Sequence, residues 1–296
     1  MLMEKDTAKK SKRIKSQVAK YTMIWPIAAW MYLLVAIPFI YIIIVSFLTA
    51  GTYGGVVWKL NLSNYLEILN PLYLKTFVKS IIMSVAVTVI CLLIAYPFTY
   101  YIAKKGEVAK TVLMALVMVP FCVSMIIRLF IWINLLRSEG IVNRIIMWLG
   151  LSDSPLKLVY SLTGAMIGLV YMLLPFMILP LYSSIEKLDK SLLEAANDLG
   201  ARPAKSFLKI TLPLTKPGIF AGCVMVFIPS MGLYFVTDLM GGSKTLVIGN
   251  LIRNQFITAR NWPLGAAMSV VLMLITVLLL KLYTKAGGSM DDLSGI

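Results

Sequence analysis

The feature that most constrains this 296-residue chain is a set of long apolar runs, each close to the length needed to cross a lipid bilayer. The hydrocarbon core of a membrane is about 30 Å thick, and an α-helix crosses it with roughly 20 apolar residues. The strands of a membrane barrel would instead alternate between polar and apolar residues. The sequence therefore predicts an all-α integral membrane protein with six transmembrane helices, over residues 25–48, 80–103, 111–136, 163–182, 218–238 and 264–284.

The composition supports this class, because 59% of the residues are hydrophobic and only 14% are charged. A water-soluble protein of this length contains more charge. The first apolar run is too long for a cleaved signal peptide, and no small-residue cleavage site follows it. We predict a basic tail over 1–24, a six-span transmembrane domain over 25–285 and a C-terminal tail over 286–296.

The distribution of Lys and Arg predicts the orientation of the chain in the membrane. With the basic tail inside, the inner segments carry eighteen Lys and Arg and the outer loops carry nine. Both termini are therefore predicted to be cytoplasmic. The net charge of +15 then reflects topology and contact with membrane lipid, and we expect no nucleic-acid partner.

Several kinds of catalytic site are excluded by composition. The chain has no histidine, which removes the HExxH zinc site and the Ser-His and Cys-His pairs. The three cysteines, Cys91, Cys122 and Cys223, lie in predicted helices without metal-ligand spacing. The stretch MGGSKT at 240–245 resembles the end of a phosphate loop, but Ser243 replaces the required glycine. We predict no catalytic residue, metal or cofactor in this chain.

The longest predicted cytoplasmic connection, over 183–216, has an organised sequence. Ser191 followed by Glu194 matches a capping box, which predicts a helix start just before two alanines. Gly200 is placed to end that helix in the left-handed conformation. Pro203 suits the first position of a second short helix. Two later prolines, Pro213 and Pro217, are expected to end the second helix and to start the fifth span.

The first of these short helices is predicted to dock on a protein partner. A helix of about ten residues cannot bury its own apolar side, and a helix lying on lipid headgroups is the alternative. An aromatic residue, which would favour the lipid surface, is missing until Phe207. The apolar stripe is formed by Leu192, Ala196 and Leu199 at helical spacing.

This connection resembles the cytoplasmic loop of the permease subunits of bacterial ABC importers. In that family the pattern is EAA, three residues, G, nine residues and then I-x-L-P. Every spacer in this chain has the same length. The matching residues are Glu194, Ala195, Ala196, Gly200, Ile210, Leu212 and Pro213.

The resemblance implies a type I ABC importer permease in the bacterial cytoplasmic membrane. In the family the loop forms a coupling helix that sits in a cleft on the ATPase, with Glu194 facing that cleft and Gly200 permitting the turn. The implied partners are a dimer of ATP-hydrolysing subunits, a second homologous permease and an extracytoplasmic substrate-binding protein. ATP and Mg²⁺ would be held by the ATPase, and this chain would hold no cofactor.

A longer likeness covers residues 25–285. The stretches GLYFVTDLMGGSK, IGNLIRNQF and NWPLGAA, together with the segment leading into the EAA loop, are similar to B-type permeases of spermidine/putrescine importers. The likeness implies polyamine import by alternating access. The same machine carrying another small solute, such as an inorganic anion, is the nearest alternative. An integral membrane enzyme and a pure scaffold are less consistent with the sequence.

The fifth predicted span contains features expected of a transport path. Irregular backbone at membrane depth is tolerated only where it is buried or lines water. Pro229 and Gly232 weaken this helix, and Met231, Tyr234 and Asp238 are spaced to share one face. Asp238 is the first candidate to contact an amine, because no other carboxylate is nearby in sequence. An ordinary outer end of the helix is the alternative.

Trp132 and Tyr171 are further candidate substrate contacts. Aromatic faces attract ammonium groups by about 0.5–2 kcal/mol each, although such residues also serve as packing or interface anchors. We expect these residues, with Tyr234, to surround part of a polyamine. The prolines expected to break the third and fourth spans near them are Pro120, Pro175 and Pro180.

Arg128 is the one charge inside the third predicted span. An arginine at the centre of a membrane helix costs at least about 2.5 kcal/mol, so we expect it to have a partner or to reach a polar cavity. Asp238 and the carbonyl groups of a broken helix are the expected partners. Because the outer loops are also net basic, most carboxylates that recognise a polyamine are expected on the partner subunits.

Overall fold

The computed structural model of the chain describes residue 22, residues 24–242 and residues 245–285. Most of the predicted tail over 1–24 and all of the tail over 286–296 lie outside these residues. The described strands are β1 (Leu48–Ala50) and β2 (Val56–Leu60). The described helices are α1 (Ile24–Ser46), α2 (Ser63–Ile68), α3 (Pro71–Ala103), α4 (Glu107–Met118), α5 (Met125–Leu136), α6 (Ile141–Trp148), α7 (Leu162–Glu186), α8 (Lys190–Asp198), α9 (Pro203–Leu214), α10 (Lys216–Gly232), α11 (Tyr234–Val236), α12 (Ile248–Ile257) and α13 (Trp262–Lys285).

Four helices, α1, α3, α7 and α13, are long and apolar enough to cross a membrane without interruption. Two further candidate spans are bent pairs. Glu107–Cys122 meets Met125–Trp148 at 97°, and α9 meets α10 at 62°. The number of spans reaches six only if each bent pair is taken as one span. The six-span count and the cytoplasmic position of the termini therefore stay predictions.

The proline expected to break the third span does so, whereas the prolines in the fourth span do not. Pro120 lies in a 3-10 turn, Val119–Cys122, that follows α4, and Val123 then adopts extended backbone. Pro175 and Pro180 lie inside the uninterrupted helix α7, so the predicted breaks there are wrong. Proline is tolerated in such a helix where packed neighbours satisfy the freed carbonyl groups, and α7 packs against both α3 and α10.

The fifth span breaks after Pro229 rather than at it. Helix α10 continues through Pro229, and Leu233, with φ −73° and ψ 61°, separates it from α11. Met231 is buried, whereas Tyr234 beyond the break is 38% exposed. The predicted common face of Met231, Tyr234 and Asp238 is therefore wrong, because helical spacing does not continue through Leu233.

A hairpin that the sequence did not predict joins α1 to α2. Strand β1 pairs antiparallel with β2, with Leu48 opposite Leu60. Gly54 and Gly55 between the strands have φ values of 98° and 82°, where glycine carries no Cβ penalty. The fold is therefore mainly helical, with one short sheet.

Helix α7 forms the centre of the described structure. It packs against α3 and α10, and the main apolar cluster draws on these helices and on α5. Close approach of α10 to α7 requires Gly218, since a Cβ there would lie 2.4 Å from the Cβ of Ser184. A second cluster joins α2, α3, α10, α12 and α13. Helices α3 and α10 contribute to both clusters and so connect them.

Candidate functional site

The EAA segment begins with a different cap from the one predicted. Asp189, rather than Ser191, is the N-cap of α8, because its Oδ1 accepts the backbone N–H of Ser191 at 2.9 Å. Hydrogen bonding from the backbone of Ser191 lowers the pKa of Asp189. The capping box of Ser191 and Glu194 is therefore wrong, although the predicted helix exists. It starts at Lys190.

The predicted glycine turn at the end of α8 is confirmed. Gly200 has φ 76°, and its N–H donates to the carbonyl of Asn197 at 2.8 Å. The N–H of Ala201 donates to the carbonyl of Ala196 at 2.9 Å. These two bonds form a Schellman motif, which satisfies carbonyl groups at the end of the helix. The motif fixes the direction in which the chain leaves α8.

The second short helix starts as predicted but ends later. Pro203 occupies the first position of α9. Pro213 lies within its last turn, and the break falls at Thr215, so the prediction that Pro213 ends the helix is wrong. Pro213 is tolerated because it lies near the start of a short α-helical segment, Leu212–Leu214, that follows a π-helical turn, Phe207–Thr211, and the first turn of a helical segment needs no backbone donor. Ile210 and Leu212 of the EAA pattern are both half-buried in α9.

Helix α8 presents an exposed face that differs by one residue from the predicted stripe. Ala196 is only 8% exposed and points into the protein. Ala195 and Glu194 are exposed, as are Leu192 at 44% and Leu199 at 88%. Leu192, Ala195 and Leu199 lie at i, i+3 and i+7, so they share one side of the helix. We call Leu192, Ala195 and Leu199 the coupling face; Glu194 is also exposed but lies on another side of α8.

Aromatic contacts connect the segment after α8 to the end of α3. The ring of Phe207 lies edge-on to the rings of Tyr96 and Tyr100, with centroids 5.6 and 5.7 Å away. The hydroxyl groups of Tyr96 and Thr215 are 2.9 Å apart. Leu193 of α8 lines a cleft of about 300 Å³ together with Tyr100. These contacts connect the segment after α8 to α3 and to the bend at Thr215.

A buried cation ties α4 to the same end of α7. Lys110 lies 2.5 Å from Glu186 and 2.9 Å from Glu107, and its side chain is 5% exposed. Glu186 is the last residue of α7, immediately before the connection to α8. The end of α7 is therefore held between α4 and the EAA segment.

A basic cavity of about 680 Å³ lies at the opposite end of α7. Its lining includes Lys79, Arg137 and Lys157, and no carboxylate is among the lining residues. Tyr160 in its wall has φ 56°, an unusual value for a residue with a side chain. By helical rise the 25 residues of α7 separate this cavity from the EAA segment by about 37 Å.

Asp238 contacts two residues that the sequence analysis did not single out. Its Oδ2 lies 3.2 Å from Nη1 of Arg253, and its Oδ1 accepts a hydrogen bond from Nδ2 of Asn250. Both partners belong to α12. The expected ion pair between Asp238 and Arg128 is wrong, because Arg253 reaches the carboxylate from the facing helix.

Asn250 holds the broken fifth span in place. It is buried, and its Oδ1 accepts hydrogen bonds from Thr237 Oγ1 at 2.8 Å and from the backbone of Val247 at 2.9 Å. Its Nδ2 also donates to the carbonyl of Tyr234 at 3.3 Å. The amide therefore connects α11, α12 and Asp238. Its position at the start of a short helix was the sequence signal that could have identified it.

Tyr234 and Asp238 share Arg253 as a neighbour. The Arg253 guanidinium carbon is 5.5 Å from the centre of the Tyr234 ring. The side chains of Asp238 and Arg253 are 36% and 40% exposed. We call Tyr234, Asp238, Asn250 and Arg253 the acidic site. It offers a carboxylate and an aromatic face to a cation, and the partly exposed Arg253 is the counter-ion of Asp238.

Trp132 and Tyr171 contact each other and have an additional aromatic neighbour, whereas Tyr234, the third predicted aromatic contact, lies beside Arg253. Their ring centroids are 5.2 Å apart, and Phe121 stacks on Tyr171 at 6.4 Å. The guanidinium carbon of Arg128 lies 4.2 Å from the centre of the Phe121 ring. The three rings are partly exposed, next to the break in the third span. We call Phe121, Trp132 and Tyr171 the aromatic cluster. Within the described residues no group of acids or cysteines is arranged to hold a metal ion.

The chain is similar to known transport proteins. The family model of the binding-protein-dependent transport system inner membrane component matches residues 95–286. The spermidine/putrescine transport system permease protein PotB of Escherichia coli K12 is 45% identical over 264 residues, which cover 89% of this chain and 96% of that protein. PotB of Haemophilus influenzae is 42% identical over 260 residues, which cover 88% of this chain and 91% of that protein.

Solved structures agree on the fold. A chain in the crystal structure of a bacterial alginate ABC transporter with its alginate pentasaccharide-bound periplasmic protein has a TM-score of 0.74 at 16% identity. The match covers 92% of this chain and 94% of that chain. The fold is that of type I ABC transporter permeases, which are transport subunits rather than enzymes. The chain belongs to the family of binding-protein-dependent transport system inner membrane components.

Proposed function

We propose that this chain is one permease subunit of an ATP-driven importer for spermidine and putrescine. The observation that carries the proposal is the coupling face on α8, which exposes Leu192 and Leu199 on a helix that ends at the Gly200 turn. A partner surface that covers Leu192 and Leu199 would remove this apolar area from water. The identity of 45% to a spermidine/putrescine permease over most of the chain supports the solute.

The coupling face is proposed to dock on an ATP-hydrolysing subunit. Movement of α8 during ATP binding would pass through Phe207 to Tyr96 and Tyr100 on α3, and through Thr215 to α10. These contacts join the docking segment to two of the helices that pack on α7. A second permease would complete the path, and an extracytoplasmic binding protein would deliver the solute. ATP and Mg²⁺ would be bound by the ATPase.

The acidic site and the aromatic cluster are the proposed contacts for the polyamine. Asp238 can pair with an ammonium group if Arg253 gives way, and Tyr234 supplies a neighbouring aromatic face. Trp132 and Tyr171 provide two further faces. A polyamine carries several ammonium groups along an apolar chain, so separated carboxylate and aromatic contacts suit its chemistry.

The test is uptake by the whole assembly in lipid vesicles. This chain, the second permease, the ATPase and the binding protein are reconstituted, and ATP-dependent entry of radiolabelled spermidine is measured. We expect uptake that unlabelled putrescine inhibits and inorganic sulfate does not. Uptake of another solute without uptake of spermidine would show that the proposed substrate is wrong. Omission of the ATPase is the control for passive entry.

A further inference from the structure

Arg128 has a buried guanidinium group without a matching set of acceptors. The residue is 8% exposed, and its Nε and Nη1 are buried without a hydrogen-bond partner in the described part of the chain. The ion pairs identified among the described residues involve other cations, Lys110 and Arg253. A buried charge with unsatisfied donors is unfavourable. The contact that holds Arg128 must therefore be of another kind.

That contact is the face of Phe121. The guanidinium carbon lies 4.2 Å from the ring centre, within the range of a cation–π interaction. One such contact does not offset the burial of an arginine with two unpartnered nitrogen atoms. The Arg128 guanidinium can consequently leave the Phe121 ring when a competing cation arrives or when water reaches its N–H groups.

The aromatic cluster is suited to receive such a competing cation. Phe121 stacks on Tyr171, and Tyr171 lies 5.2 Å from Trp132, so three faces adjoin. All three rings are partly exposed, and Cys122, the residue after Phe121, is exposed at the break in the third span. An ammonium group can therefore approach the rings without unfolding a helix.

We propose that Arg128 is a built-in competitor for the polyamine, occupying the Phe121 face of the aromatic cluster until an ammonium group of the substrate displaces it. The inference rests on the proposed function and adds a specificity role for one residue. A solute with a single weakly binding cation would displace Arg128 poorly. A polyamine already held at a second site would displace it more readily, because its further ammonium groups are then at high local concentration.

The test measures equilibrium binding of radiolabelled spermidine to the complex of both permeases and the ATPase, without the binding protein. Arg128→Met should bind spermidine about 2- to 30-fold more tightly, since one cation–π competitor is removed. Arg128→Lys keeps a cation on the side chain and is the matched control, with affinity near that of the unmodified complex. Arg128→Gln serves as a second neutral variant.

A change at Phe121 distinguishes competition for its ring from charge repulsion between Arg128 and the polyamine. In a Phe121→Leu background the Arg128→Met change should give little further gain, because the shared ring is gone. An equal gain in both backgrounds would show repulsion through space and would overturn the proposal. Unchanged or weaker binding by Arg128→Met would also overturn it, as would failure of both neutral variants to assemble. Uptake of spermidine by the unmodified complex is measured first, so failure of the proposed function is recognised separately.

Discussion

The backbone of Gly200, at φ 76°, is the smallest feature on which the proposed coupling depends. A Cβ built at this position would meet no atom within 4 Å, so the requirement for glycine is conformational and not steric. The left-handed backbone conformation costs residues with a Cβ roughly 1–2 kcal/mol, and it costs β-branched residues more. Replacement therefore acts on the turn itself.

We expect Gly200→Val to assemble with its partners but to import less solute for each ATP hydrolysed. The strain favours another backbone conformation and turns α8 away from the ATPase. Gly200→Asn is the control, because asparagine tolerates the left-handed region and should retain most of the uptake. Measuring ATP hydrolysis and uptake in the same vesicles gives the number of solute molecules imported for each ATP hydrolysed. Normal coupling in a well-assembled Gly200→Val complex would contradict the role given to this turn.

Asp238 and Arg253 form an exposed ion pair, which contributes little to stability, about 0–1 kcal/mol. Asp238→Asn should therefore assemble but bind spermidine about 10-fold or more weakly, through loss of a charge-assisted hydrogen bond. Arg253→Gln should have the opposite effect, because it frees the carboxylate. Asp153→Asn, another exposed acid, is the control. Equal affinities for spermidine in all three variants would show that Asp238 does not contact the substrate and only lies at the end of a helix.

At the scale of elements, the helices were predictable and several of their ends were not. Apolar length is a property of consecutive residues, so hydropathy located the four helices that are long enough to cross a membrane without interruption. The turn at Gly200 was also predictable, because its signal is local. The partner of Asp238 was not, since Arg253 lies on α12, a short helix outside the apolar runs. The continuity of α7 through two prolines depends on packing against α3 and α10, which no local pattern records.

The exposed coupling face predicts a specific labelling pattern. Leu199→Cys should react with a membrane-impermeant maleimide from the cytoplasmic side only, and more slowly when the ATPase is bound, because this side chain is 88% exposed. Ala196→Cys should react slowly in both states, since that position is buried. Labelling from outside would contradict the orientation, and equal rates with and without ATPase would contradict docking. The background lacks the native cysteines, Cys91, Cys122 and Cys223.

At the scale of the whole molecule, two surfaces lie at opposite ends of α7. One end carries the coupling face, and the other carries the cavity lined by Lys79, Arg137 and Lys157. A surface of this charge repels a polycation and attracts carboxylates. We therefore expect acidic side chains on the docking surface of the proposed binding protein to face this cavity.

Docking of the binding protein should accordingly weaken with salt. Raising the ionic strength from about 0.1 M to about 1 M shortens the Debye length from about 10 Å to about 3 Å. Lys157→Gln should weaken docking by about 1.5- to 5-fold at the lower salt, in keeping with one exposed charge. Lys281→Gln, at the predicted inner end of α13, is the control. Docking measured on immobilised complexes that does not respond to salt would contradict this electrostatic contribution.

The break near Pro120 also bears on how the chain is made. Glu107–Cys122 and Met125–Trp148 meet at 97°, so neither half offers the translocon a straight apolar rod of full membrane length. Arg128 further reduces the tendency of the second half to enter lipid unaided. Tyr171, which packs against both Phe121 and Trp132, is translated only with α7. We therefore expect the third span to enter the lipid only after the fourth has been synthesised. The two helices would then be inserted into the membrane as a pair.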